Sequence, residues 1–195
     1  TTKTTKTTKT TATEEIKWST KKQQLLYMRR AIVLAKEAMN MGAGGPYAAL
    51  IVDPSNGGTI IAEGLNRASI NPVLHGEIEA ISNLSSSLKK NISVYDVAQN
   101  YELYTTAEPC PMCMGAIDWS GFGRVVYGTS IPFIKQQGHT QIDLRATVVE
   151  EAGFHNITII GGVLSNETNL LYIECGDKCG HHGHHHVQLK QFKRN

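Results

Sequence analysis

The chain has 195 residues, 41% of them hydrophobic, and a formal net charge of +2. This length suits one domain with short tails. No apolar run reaches the roughly 20 residues that cross a bilayer, so we expect a soluble, cytoplasmic protein. Six of the 19 basic residues lie near the two ends of the chain. The remaining residues, 14–189, hold 13 basic and 17 acidic residues, a net charge of −4. That sign does not favour a polyanion-binding surface, so we expect neither a nucleic-acid nor a membrane partner.

The two ends differ in composition from the rest of the chain. Residues 1–18 open with a repeated Thr-Thr-Lys unit and predict a disordered tail. A transit peptide is the alternative, but Arg and an amphipathic face are both missing from residues 1–13. Residues 176–195 form a His-rich basic tail. Together with Cys175 and Cys179, its histidines are read either as an adventitious metal-binding tract, as an engineered scar or as a second zinc site.

Residues 19–175 predict a single domain in which strands alternate with helices. Ser19 or Thr20 can cap a first helix, whose apolar residues recur at steps of three and four from Leu25 to Met39. Glycines and a proline at 42–46 end this helix. Strands at 47–52 and 59–62 follow, and the tight loop between them predicts an antiparallel hairpin.

The second half continues the alternation. It predicts strands at 101–106, 124–128 and 157–160, and helices at 75–88, 111–119, 144–152 and from Ser165 onwards. The long connection between the fourth and fifth strands requires them to run parallel. The near-continuous apolar run of the fifth strand is typical of a buried strand. We therefore predict an α/β fold, a three-layer α/β/α sandwich with a mixed sheet of about five strands.

Two motifs carry the chemistry: His75-Gly76-Glu77, and Pro109-Cys110-Pro111-Met112-Cys113. Each lies where a loop becomes a helix, and free backbone N–H groups at a helix start favour the thiolate form that binds a metal. One imidazole and two thiolates leave a tetrahedral zinc ion one open position, which is typical of a catalytic site. Zinc would lower the pKa of a bound water to about 7, and Glu77 would move protons. The pattern is the general signature of zinc deaminases.

Each motif alone has a less specific interpretation. A histidine next to an acidic residue is common in helices, and a Cys-x-x-Cys pair also occurs in structural zinc knuckles and redox sites. The combination of both motifs at helix starts favours the catalytic interpretation. A non-catalytic zinc scaffold, or metal storage by the His-rich tail, stays as the alternative from a different functional class.

From Lys21 to Cys175 the chain resembles the cytidine deaminase superfamily, in the branch of guanine deaminases and tRNA adenosine deaminases. The likeness is strongest over residues 104–117, Tyr-Thr-Thr-Ala-Glu-Pro-Cys-Pro-Met-Cys-Met-Gly-Ala-Ile. It implies that zinc is held by His75, Cys110 and Cys113, that Glu77 shuttles protons, and that Asn66 hydrogen-bonds the substrate. It also implies a homodimer with the pocket near the subunit interface.

Departures from the family pattern bear on the substrate. Gly76 stands where the family usually has alanine, as in fungal cytosine deaminases. Gly44-Gly45-Pro46-Tyr47 resembles the Gly-Gly-Pro-aromatic stretch of guanine deaminases, where tRNA enzymes tend to have Val-Pro-Val-Gly. We therefore expect guanine or guanosine as substrate, with cytosine and tRNA adenosine as alternatives. Further candidate substrate contacts, in or near a specificity segment at 129–144, are Trp119, His139 and Asp143.

Overall fold

The computed structural model describes residues 16–175. Five strands form one mixed sheet in the order β2-β1-β3-β4-β5. They are β1 (Ala48–Asp53), β2 (Thr59–Leu65), β3 (Glu102–Ala107), β4 (Arg124–Thr129) and β5 (Thr158–Ile160). β1 pairs antiparallel with β2 and β3, whereas β3, β4 and β5 run parallel. The predicted hairpin and the parallel fourth and fifth strands are confirmed.

Helices cover both faces of the sheet. They are α1 (Lys21–Asn40), α2 (Gly76–Ser87), α3 (Val94–Val97), α4 (Pro111–Ser120), α5 (Ile131–Gln136), α6 (Ala146–Glu151) and α7 (Ser165–Cys175), with a 3-10 turn at Ala98–Asn100. Alternate residues of β1 point to opposite faces, as a strand requires. Leu50 packs in the core beneath α1, α5 and α7, and Ile51 packs in the core beneath α2, α3, α4 and α6. The predicted three-layer sandwich is confirmed.

The first helix follows its predicted signals. Thr20 is the N-cap, and it forms a capping box with Gln23. Met28 and Ile32 of the apolar stripe are buried, whereas Leu25, at the edge of the stripe, is 37% exposed. None of the helices within residues 16–175 is both long and apolar enough to cross a membrane.

Two details differ from the sequence prediction. β5 is not a buried central strand: it pairs only with β4 at the edge of the sheet, and Thr158 is exposed. Helix α5 was not predicted, because six residues with a proline in the first turn carry little periodic signal. The structure explains this helix by tertiary contacts, since Ile131 and Ile134 are fully buried. The proposed second metal site at Cys179 and the His-rich tail lies outside the described residues.

Candidate active site

The first half of the site is the start of α2. His75 is the N-cap of this helix in an extended conformation, with φ −75° and ψ 164°. Its carbonyl accepts a hydrogen bond from the Glu79 amide (3.0 Å), which fixes the first helical turn. The imidazole therefore lies at the open end of the helix, as the sequence predicted.

The second half is the start of α4. Cys110 is the N-cap, Pro111 occupies the first turn, and Cys113 lies on the same face one turn later. The sulfur atoms of Cys110 and Cys113 lie 3.7 Å and 3.5 Å from His75 Nδ1. All three donor atoms lie within 4.8 Å of one another, so the residues are positioned to hold a metal ion. One nitrogen and two sulfur donors suit zinc and leave a tetrahedral ion one open position.

The charges in this cluster favour metal binding. Hydrogen bonds from Cys113 and then from His75 lower the pKa of Cys110 to about 4, so this sulfur is a thiolate at neutral pH. The same hydrogen bonds raise the pKa of His75, because its proton is shared with Cys110. Donation to Cys110 raises the pKa of Cys113 well above that of a free thiol. His75, Cys110 and Cys113 would give up these shared protons on binding zinc, and the ion would supply the positive charge in their place.

Glu77 lies beside the cluster but is not one of its three donors. Its carboxylate is buried and accepts a hydrogen bond from the Thr105 hydroxyl on β3 (3.1 Å). Burial, and then the neighbouring Cys110 thiolate, raise the pKa of Glu77. A carboxyl group with a raised pKa is suited to accept and release a proton near neutral pH.

Asn66 directly follows β2 and contacts Tyr47, the residue before β1. Its amide N–H donates to the Tyr47 carbonyl (2.9 Å), and its side-chain Nδ2 donates to the Gly44 carbonyl (2.5 Å). Asn66 Oδ1 is buried and has no hydrogen-bond partner within residues 16–175. A buried acceptor without a partner is costly, so this oxygen is available to a donor on a ligand.

Two tyrosines form an aromatic wall next to the site. The rings of Tyr47 and Tyr172 are 5.3 Å apart, and Tyr172 donates from its hydroxyl to Thr106 (3.2 Å). Gln141 donates to the Tyr47 hydroxyl (3.5 Å). Burial raises the pKa of Tyr47 to about 12, and the charges of Glu77 and Cys110 contribute further to this shift.

The three further predicted substrate contacts are more dispersed. His139 bonds through Nε2 to the Tyr172 carbonyl (2.9 Å), and thus supports the aromatic wall from behind. Asp143 forms a surface ion pair with Lys135. Trp119 is 74% exposed near the end of α4, far along the helix from Cys110, and packs against Phe154. As substrate contacts, these three residues stay predictions.

Glu108 joins the α4 half to the segment that follows β4. Its buried carboxylate accepts hydrogen bonds from the Ile131 amide (3.0 Å), the Ala146 amide (3.0 Å) and Arg145 Nε (2.7 Å). Glu108 precedes Cys110 by two residues. It therefore ties the first residues of α5 and α6 to the start of α4. Sequence reasoning did not assign a role to Glu108, nor to Thr105 or Tyr172, because their partners are distant along the chain.

Gly76 has a structural explanation. A Cβ at this position would lie 2.9 Å from Ala48 Cα, a backbone atom of β1. Alanine therefore does not fit here without moving α2 away from the sheet. The glycine that departs from the usual family pattern thus reflects close packing of helix and strand, which weakens its value as a sign of cytosine specificity.

Comparison with known proteins agrees with this site. Residues 21–129 match the family model "Cytidine and deoxycytidylate deaminase zinc-binding region". The matched residues include His75, Glu77, Cys110 and Cys113. The chain belongs to this zinc-binding deaminase family.

Curated relatives span three substrate classes. Guanine deaminase of Bacillus subtilis is 42% identical over 103 residues, covering 52% of this chain and 61% of that protein. The probable cytosine deaminase of Schizosaccharomyces pombe is 28% identical over 150 residues, covering 74% and 87% of the two chains. A tRNA-specific adenosine deaminase of Buchnera aphidicola is 33% identical over 148 residues, covering 74% and 83%.

Solved structures of similar fold include guanine deaminase from Nitrosomonas europaea. That structure has a TM-score of 0.61 and 26% identity, and covers 77% of this chain and 82% of its own. A mutant of NE0047 in complex with 8-azaguanine has a TM-score of 0.62 and 26% identity, and covers 77% and 84%. Family and site together indicate a hydrolytic deaminase, and the relatives leave the substrate open among guanine, cytosine and tRNA adenosine.

Proposed function

We propose that this protein deaminates a small purine, guanine or guanosine, and releases ammonia. The observation that carries the proposal is the buried, unligated carboxylate of Glu77 beside three metal donors. A purely structural zinc site has no use for such a group, because its four positions are closed by ligands.

In the proposed reaction Glu77 is the proton carrier. It accepts one proton from the attacking water and passes it to a ring nitrogen of the base. It then takes the second water proton from the hydroxyl of the resulting adduct and delivers it to the amine, which leaves as ammonia. Thr105 donates a hydrogen bond to one carboxylate oxygen of Glu77 and so helps to orient the carboxylate beside the three metal donors. Zinc held by His75, Cys110 and Cys113 would make water nucleophilic at neutral pH.

Support for a nucleobase as substrate comes from the groups around the cluster. Asn66 Oδ1 can accept a hydrogen bond from a ring N–H, and Tyr47 can stack on a flat base. Support for a purine comes from the similarity to guanine deaminases. Cytosine is the second candidate, because the S. pombe relative matches over most of both chains. tRNA adenosine is the third, supported by the B. aphidicola relative.

We expect a homodimer on the strength of the family resemblance. Exposed Trp119 and Phe154 pack edge to face on the surface, and such aromatic pairs favour protein interfaces. Sedimentation velocity distinguishes a particle of 21.3 kDa from one of twice that mass. A single monomeric species at micromolar concentration would contradict the dimer.

The substrate is tested by ammonia release from guanine, guanosine, adenine, adenosine, cytosine and cytidine, alongside inosine formation in tRNA. The role of Glu77 is tested in the same assay with Glu77→Gln, which keeps the side-chain volume but cannot carry the proton. We expect at least a hundredfold loss of kcat, in line with typical acid–base contributions of about 10²–10⁴. The zinc content should stay at that of the wild type.

Glu37→Gln is the matched control for this variant, because the Glu37 carboxylate is partly exposed on α1 and pairs with Arg30 at 3.8 Å, away from the metal donors. It should retain wild-type turnover. Wild-type turnover by Glu77→Gln would refute the proton-transfer role. Bound zinc without ammonia release from any of these substrates would favour the non-catalytic scaffold.

A further inference from the structure

One carboxylate holds the residues on both sides of Asn66. Glu79 Oε2 accepts a hydrogen bond from the Leu65 amide (2.5 Å), and Glu79 Oε1 accepts from Arg67 Nε. The Glu79 side chain is only 15% exposed, so water competes weakly for these partners. The backbone around Asn66 is therefore fixed from α2, not by β2 alone.

Glu79 belongs to the same helical turn as the groups of the zinc site. Its amide donates to the His75 carbonyl, and it follows Glu77 by two residues. The Arg67 amide donates to the Leu74 carbonyl (2.9 Å), which closes the loop between Asn66 and His75. The start of α2 thus sets the position of His75, Glu77 and the Asn66 loop together.

Asn66 depends on this support for its direction. Its own hydrogen bonds are Nδ2 to the Gly44 carbonyl and the backbone amide to the Tyr47 carbonyl, and Oδ1 stays without a partner within the described residues. The direction of Oδ1 is therefore set by the Gly44 contact together with the backbone at 65–67, which Glu79 holds. Resting on the function proposed above, we propose that Glu79 is a positioning residue that aims the Asn66 side chain at the substrate base.

This role predicts a particular kinetic pattern. A hydrogen bond made equally to substrate and transition state affects KM more than kcat. Loss of one such bond is worth up to about tenfold in binding. Glu79→Ala should therefore raise KM about tenfold with kcat changed less than threefold. Because Glu79 acts through Asn66, Glu79→Ala should add little to Asn66→Ala in the double variant.

The experiment has two readouts on the purified 195-residue chain. The first is the double-mutant cycle of Glu79→Ala and Asn66→Ala in kcat and KM, with zinc content measured for each variant. The second is amide hydrogen exchange over residues 64–68, which needs no substrate. Glu79→Gln serves if the alanine variant folds poorly, since it keeps an acceptor for Leu65 and loses the one for Arg67.

Glu63→Ala is the matched control. Glu63 lies on β2 two residues before Leu65, and its replacement removes a bidentate ion pair with Arg30 on α1; its side chain is 32% exposed. The replacement should leave KM and the exchange at 65–67 unchanged. This control separates the loss of a β2 ion pair from the loss of Asn66 support.

A raised KM that vanishes in the Asn66→Ala background, with faster exchange at 65–67, supports the positioning role. Additive effects in the two backgrounds, or unchanged exchange in the Glu79 variants, overturn it. If the wild-type protein releases ammonia from none of the substrates, the proposed function fails. Exchange then decides on Glu79: faster exchange at 65–67 supports the anchoring, and unchanged exchange overturns it.

Discussion

The two groups of residues around the candidate site, the metal side and the wall side, are built in different ways. The metal side uses three residues at the starts of two helices, each placed by its own local motif. The wall side uses Tyr47 before β1, Gln141 after α5 and Tyr172 on α7, which meet only in the folded chain. Local motifs therefore place the metal donors, whereas long-range packing places the aromatic wall, so substitutions can alter the two sides separately.

The largest expected effect is at Glu108, which connects the two sides. Glu108→Ala removes the acceptor for two backbone amides and Arg145. Hydrogen bonds to charged groups contribute about 1.5–3 kcal/mol each, and the partly exposed Arg145 pair adds little, so loss of the two amide bonds should lower the free energy of unfolding by about 3–6 kcal/mol. KM should rise because the 131–146 segment loosens, whereas zinc stays bound. Denaturant unfolding, kinetics and zinc content measure the three quantities.

Glu102→Ala is the control for this variant. Glu102 is equally buried at the other end of β3, where it accepts from the Ser19 amide, Tyr104 and Arg124. A similar loss of stability with unchanged KM is expected. If both variants raise KM alike, the link between Glu108 and the pocket wall is wrong and only general stability is at issue.

The next largest effect is expected at Gly76, at the start of α2 on the metal side. Gly76→Ala places a methyl group against the β1 backbone, and overpacking costs about 1–3 kcal/mol. A gain of up to about 1 kcal/mol in helix propensity offsets part of this, so we expect a net loss of about 1–2 kcal/mol in the free energy of unfolding. Because α2 must shift, kcat should fall with every substrate in equal proportion.

The competing interpretation of Gly76 predicts something else. If this glycine selects cytosine, Gly76→Ala should change the ratio of cytosine to guanine turnover and leave stability nearly untouched. Thermal unfolding and the two kcat/KM values, measured on one preparation, separate these interpretations. A changed ratio at constant stability would contradict the packing explanation.

Local sequence motifs could be predicted from the sequence, whereas contacts between distant parts of the chain could not. The clustering of His75, Cys110 and Cys113 was predictable because helix starts and the i, i+3 spacing are local features, and the sheet followed from periodicity and loop length. Tyr172 was not predictable, because its contact with Pro46 spans 126 positions. The hydrogen bonds of Glu79 were not predictable either. Nothing in its sequence position indicates that Leu65 and Arg67, the two neighbours of Asn66, both donate to it. β5 was misjudged because an apolar run does not distinguish an edge strand from a central one.

The smallest effect is expected at the wall side, at Tyr47. Its hydroxyl accepts from Gln141 at 3.5 Å, the outer limit for a hydrogen bond, so Tyr47→Phe should change KM less than about threefold. Tyr47→Ala also removes the ring, and loss of stacking is worth about 1–3 kcal/mol per base, so KM should rise about tenfold or more.

Tyr27→Phe is the control, since it removes a hydroxyl bonded to the Gly58 carbonyl on the hairpin, away from the candidate site. If Tyr47→Phe weakens binding as much as Tyr47→Ala, the hydroxyl, not the ring, recognises the base, and the wall is a polar recognition surface.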